Sequence, residues 1–69
     1  MPDERFTGFV QSYNRARGYG FILPLGRQEP VFVTRDALEG PTPSLSEEQQ
    51  VTFTIEFHEG RLHARHVLP

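Results

Sequence analysis

The sequence predicts an all-β domain, a small five-stranded antiparallel barrel, and three observations predict it. Five short stretches rich in β-branched and aromatic residues are separated by turns that carry glycine or proline. One of them, Val51 to Phe57, alternates apolar and polar residues without a break, as a strand does when one face lies on a core. The chain has 69 residues and no cysteine, so packing and backbone pairing must hold it, and closing the sheet hides the edges that a small open sheet would expose.

Taken in order, Phe6 to Tyr13 is the first strand, with Gly8 marking a bulge or bend. Asn14 to Gly18 is a polar turn. Tyr19 to Leu23 is the second strand, ended by Pro24, which has no backbone donor. Gly26 supplies the next turn, and Val31 to Thr34 follows Pro30 as the third strand. The alternation sets Val10, Ile22, Val31 and Val33 inside this meander and Tyr19, Phe21 and Phe32 outside. Arg35 to Leu38 forms one helical turn, and Gly40 to Ser44 is a proline-rich loop. Leu45 tucks back against the barrel, while Glu47 and Glu48 stay in water. In the fourth strand Val51, Phe53, Ile55 and Phe57 share a face. His58 to Gly60 turns the chain into a fifth strand, Arg61 to Leu68. With no internal repeat or low-complexity tail, residues 1–69 read as a single domain.

Composition narrows the function. A chain this short buries too little surface for a deep enzyme cleft beside a stable core. Without cysteine there is no thiolate zinc site and no thiol nucleophile. His63 and His66 point to opposite faces of one strand, so a shared metal is not expected, and Ser12, Ser44 and Ser46 lack a nucleophile setting. Gly18 and Gly20 precede a strand rather than a helix, so they do not make a nucleotide-binding loop. The expectation is no enzyme, no cofactor and no metal. The amino end lacks the basic start and apolar run of a secretion signal, and no apolar run approaches the roughly twenty residues that span a bilayer, so a cytoplasmic protein is expected.

The net charge of −2 argues against bulk attraction to phosphates. Distribution matters more. All seven cations are arginine, and Arg15, Arg17, Arg27 and Arg35 gather around the aromatic strands, with Glu47, Glu48, Glu56 and Glu59 in the second half. The organising stretch is Arg17-Gly18-Tyr19-Gly20-Phe21-Ile22. Extended, it sends Tyr19 and Phe21 to one side and the glycines and Ile22 to the other. Two rings displayed beside an arginine suit unpaired nucleobases, whose faces stack on aromatics while the cation meets the phosphate chain. Burial of both rings in the core is the competing reading.

These residues carry a resemblance. The chain resembles a cold-shock domain, a five-stranded OB-fold β-barrel, over about Phe6 to Val67. Arg17 to Ile22 is similar to the family's first ribonucleoprotein motif and Val31 to Thr34 to its second, with further agreement at Gly8-Phe9-Val10, Tyr13-Asn14, Gln49, Val51 and Phe53. The resemblance implies a stacking platform of Tyr13, Tyr19, Phe21 and Phe32, with Gln11 and Arg17 at usual lysine positions and Asn14 offering hydrogen bonds. It also carries over Thr34, at a usual histidine, and Arg35, at a usual phenylalanine, whose guanidinium plane can stack on a base. Ser12 stands where the family has tryptophan, and Thr42 at a loop position often aromatic.

The implied function is sequence-tolerant binding of single-stranded RNA or DNA by stacking, in the manner of an RNA chaperone or a regulator of transcription or translation. A monomer is expected, with weak or swapped dimers open through the long middle loop. The alternative is a barrel that lost its ligand and serves protein interaction, on its own or as the amino-terminal part of a longer protein. The missing tryptophan and histidine and the acidic total permit it.

Overall fold

Five strands and one short helical turn follow the expected order: β1, Phe6–Asn14; β2, Tyr19–Pro24; β3, Val31–Thr34; a 3₁₀ turn, Arg35–Ala37; β4, Gln50–His58; and β5, Arg61–Leu68. The structure is a computed structural model and describes residues 4–40 and 44–69. Thr42 and the prolines beside it lie outside the described residues, as does the start of the chain.

The β1–β2 hairpin forms because Asn14 caps its own turn. Its side-chain Oδ1 accepts the Arg17 N–H at 3.0 Å and its carbonyl accepts the Gly18 N–H at 2.7 Å. Gly18 sits there at φ +78°, which a side chain would resist. β2 then pairs with β3, β1 pairs with β4 and β4 pairs with β5, all antiparallel. The ring closes as β1-β2-β3-β5-β4, and its last seam, β3 on β5 at Phe32 and His63, is parallel. That seam is a matter of parity. An odd number of strands cannot alternate direction all the way around a closed ring, so one neighbouring pair must run the same way.

The interior is the one the alternation predicts. Val10, Ile22, Val31, Val33, Val51 and Phe53 are buried, joined by Ala37 from the 3₁₀ turn and Ala64 and Val67 from β5. Leu45 is buried too, as expected of the residue that returns the crossover to the barrel, and Glu47 and Glu48 are exposed.

Three details depart from expectation. The β1 bulge falls at Gln11 and not at Gly8, which stays paired with Pro24 and Val51. Pro24 closes β2 as its last paired residue, a terminal place where a missing donor costs little. Phe57 keeps the phase of Val51, Phe53 and Ile55 yet is 72% exposed near the end of the β4–β5 hairpin, where it lines an open hollow with Phe21, Phe32 and Leu62.

Candidate nucleic-acid interface

Directly opposed residues of an antiparallel ladder share a face, so the register alone assembles the site. Ser12 opposes Phe21, Asn14 opposes Tyr19, Tyr19 opposes Thr34 and Phe21 opposes Phe32. All stand on the outer side, since their neighbours Val10, Ile22, Val31 and Val33 are buried. The rings touch. Tyr19 and Phe32 stack with centroids 5.9 Å apart and planes 29° apart, and Phe21 meets Phe32 edge-on at 5.6 Å. Tyr19 is 38% exposed and the two phenylalanines are half-buried, each supported by the next.

Gly20 makes this possible. A Cβ there would lie 2.1 Å from the Ser12 carbonyl oxygen and 2.7 Å from the Tyr13 Cα, so only glycine lets β2 approach β1 this closely. The space it leaves on the inner side is taken by Tyr13, its direct partner in the ladder. Tyr13 therefore packs against the core rather than joining the outer rings, and its hydroxyl is buried without a hydrogen-bond partner among the described residues. The expected platform of Tyr13, Tyr19, Phe21 and Phe32 is thus divided by the pleat into three outer rings and one inner ring.

The remaining expected residues are placed as follows. Arg17 is exposed at the end of the hairpin turn beside Tyr19. Gln11 is the extra, exposed residue of the bulge. The Asn14 side-chain oxygen is engaged by its own turn. The Arg35 guanidinium donates to the Arg15 carbonyl at 2.8 Å and lies against Gly18, and its backbone N–H donates to the Gly18 carbonyl at 2.8 Å. Arg35 therefore braces the β1–β2 turn instead of lying flat on the ring surface. Thr34 donates its hydroxyl to Asp36 Oδ1.

Sequence reasoning missed two contributors from β5. His63 meets Phe32 edge-on at 5.4 Å, its Nε2 buried and unpartnered among the described residues, and the Arg61 guanidinium carbon lies 4.9 Å from the centre of the Phe32 ring. Alternation about Leu62 and Ala64 does put Arg61 and His63 outward. Only the parallel seam says which strand they meet.

The site's electrostatics are mixed. Arg17, Arg35 and Arg61 border the rings, and Asp36 is set among them. The hydrogen bond from Thr34, with a lesser contribution from Arg65, holds the Asp36 carboxyl below the usual aspartate value, so it is charged at neutral pH. Among the described residues no three His, Cys, Asp or Glu side chains gather to hold a metal ion, and no helix is long and apolar enough to cross a membrane.

The geometry has a counterpart among known proteins. The family model of the 'Cold-shock' DNA-binding domain matches residues 6–69. The chain belongs to the cold-shock domain family. This cold-shock domain is 40% identical over 53 residues to the cold shock-like protein CspB of Escherichia coli (strain K12), covering 75% of each chain. It is 36% identical to the cold shock-like protein CspJ of Salmonella typhimurium (strain SL1344) over 53 residues, 75% of this chain and 76% of that one. Among solved structures, drosophila Unr CSD456 superposes with a TM-score of 0.79 at 26% identity over 97% of this chain. The cold-shock domain spans 28% of that longer chain. The five-stranded OB barrel and its family are those the two motifs imply.

Proposed function

We propose that this cold-shock domain binds unpaired RNA or single-stranded DNA by stacking bases on Tyr19, Phe21 and Phe32, and acts as an RNA chaperone or as a regulator of transcription or translation in the cytoplasm. One observation carries the reading: three rings joined through Phe32 share one outer face, Tyr19 exposed and the two phenylalanines half-buried, bordered by Arg17 and Arg61. The ring surface left in water adds nothing to the core, whereas every nucleobase has a π-face to set on it. Stacking favours the unpaired strand over the duplex, so weak hairpins open without ATP or any catalytic group. One chain holds the whole surface, and a monomer suffices. Family membership makes nucleic-acid binding of the cold-shock type the coarse function.

Ser12, beside Phe21 where the family has tryptophan, removes one stacking partner. The expected consequence is weaker binding, since each base–ring stack is worth roughly 1–3 kcal/mol.

The test is titration with a short pyrimidine-rich strand, followed by tyrosine fluorescence at low and moderate salt. Phe32→Ala, confirmed folded by circular dichroism, is expected to weaken binding by roughly 5- to 150-fold. If no saturable change occurs at micromolar protein, the domain is instead a protein-interaction module.

A further inference from the structure

Beside Tyr19 and Phe32 lies an open hollow whose other walls are Arg17, Gly18, Thr34, Arg35 and Asp36. Its polar groups are unevenly committed. Arg35 has turned its guanidinium onto the Arg15 carbonyl, so one of its donors serves the hairpin turn. The Thr34 hydroxyl proton is given to Asp36 Oδ1. The acceptors that face a base on the rings are the lone pairs of Thr34 Oγ1 and of the Asp36 carboxylate, set beside the Arg17 and Arg35 guanidinium groups. Among the described residues the Asp36 carboxylate has one ion pair, and it is a long one. Arg65 Nη1 stands 4.0 Å from Oδ2, and the Asp36 side chain is 77% exposed. Because the carboxyl is held below the ordinary aspartate range, it stays an acceptor at neutral pH. Each of its oxygens has two lone pairs, so the Thr34 bond leaves both able to accept.

We propose that the Asp36 carboxylate selects guanine at the position where a base stacks on Tyr19 and Phe32, the guanine N1–H and amino N–H donating side by side to its two oxygens. The inference rests on the reading that these rings stack bases and deepens it to base choice. Guanine is the base whose pairing edge offers two adjacent donors. Thymine and uracil offer one N–H between two carbonyl oxygens, which the carboxylate repels, and adenine and cytosine offer one amino group beside a ring acceptor. Arg17 and Arg35 in the same hollow offset the single negative charge toward the phosphate chain. The 3₁₀ turn places the carboxylate: two residues after Thr34, it folds Asp36 back onto the Thr34 hydroxyl.

The experiment measures competition among hexanucleotides by tyrosine fluorescence at neutral pH. The set is hexathymidylate, the same hexamer with one guanine walked through its positions, and the same with hypoxanthine, which lacks the amino group, in place of that guanine. The protein is used as the wild type, Asp36→Asn and Phe32→Ala. In the best register the guanine hexamer is expected to bind the wild type about fivefold tighter than hexathymidylate, the low end for a two-donor edge contact because Asp36 stands in water. Hypoxanthine is expected to lose most of that gain, and Asp36→Asn to bring guanine and thymine within about twofold. Equal binding of all hexamers by the wild type overturns the inference and leaves stacking intact, as does Asp36→Asn tightening every hexamer by one common factor, which is a charge effect alone. If no hexamer saturates and Phe32→Ala changes nothing, the stacking reading falls and takes base choice with it.

Discussion

Thr34 and Asp36 tie the end of β3 to the turn that follows, and the bond is pH-dependent in a calculable direction. The Asp36 pKa is lowered in the fold, first by the Thr34 hydroxyl. Its stabilisation is therefore present above the ordinary aspartate value of 3.8 and is lost as the pH falls through the lower folded value. Thr34→Val is expected to melt below the wild type at about pH 6, the two curves converging at about pH 3 or lower; thermal melts at both values check it. Gly20 sets a stricter limit. Gly20→Ala puts a methyl 2.1 Å from a backbone oxygen, and a destabilisation of about 3 kcal/mol, the upper end for overpacking, is expected from urea unfolding. Phe53, the largest fully buried side chain, shows the opposite failure: Phe53→Ala leaves a cavity costing about 3–5 kcal/mol, much of the stability of a domain this size.

At the scale of elements, bulges and turns decide where side chains point. The extra residue at Gln11 lets Val10 face the core on one side of it and Ser12 face Phe21 on the other. A second extra residue lies on β5, where His66 takes φ +53° between the register of Thr52 with Leu68 and that of Thr54 with Arg65. Turned by that bulge, His66 Nδ1 donates to Glu39 at 2.5 Å, the His66 carbonyl accepts from Arg5 at 2.7 Å and the Val67 carbonyl accepts the Glu39 N–H at 3.0 Å. The crossover is thereby tied to the closing strand. The β4–β5 hairpin turns through Glu59 at φ +53° and Gly60 at φ +80°, two left-handed residues whose favoured pair is Asn-Gly. Glu59→Asn is expected to stabilise by about 0.5 kcal/mol, raising the melting temperature by about 2–4 °C.

At the scale of the whole molecule, closure by an odd number of strands produces the parallel seam, and the seam brings His63 and Arg61 to Phe32. Charge is the other global property. A chain of net charge −2 sets three of its seven arginines, Arg17, Arg35 and Arg61, at the ring face, so oligonucleotide binding is expected to involve few phosphates. The logarithm of affinity against the logarithm of salt should fall with a slope of about −1 to −3, and Arg17→Gln should make it shallower by about 0.7. Titrations at several salt concentrations read both.

Strand order in sequence, the buried valines and the outward Tyr19, Phe21 and Phe32 were legible from residues alone, because alternation is a local property of an extended chain and needs no knowledge of neighbours. The motif pair carried the family for the same reason, being local in the chain. Tyr13 and Arg35 were not legible. Tyr13 goes inward because its partner across the ladder is Gly20, and Arg35 serves the β1–β2 turn because that turn lies next to it in space. Nor could Phe57 be known to be exposed, since exposure depends on what stands opposite. What a side chain is determines which face it can take, and what it touches is decided by residues distant in sequence that only closure of the ring brings near.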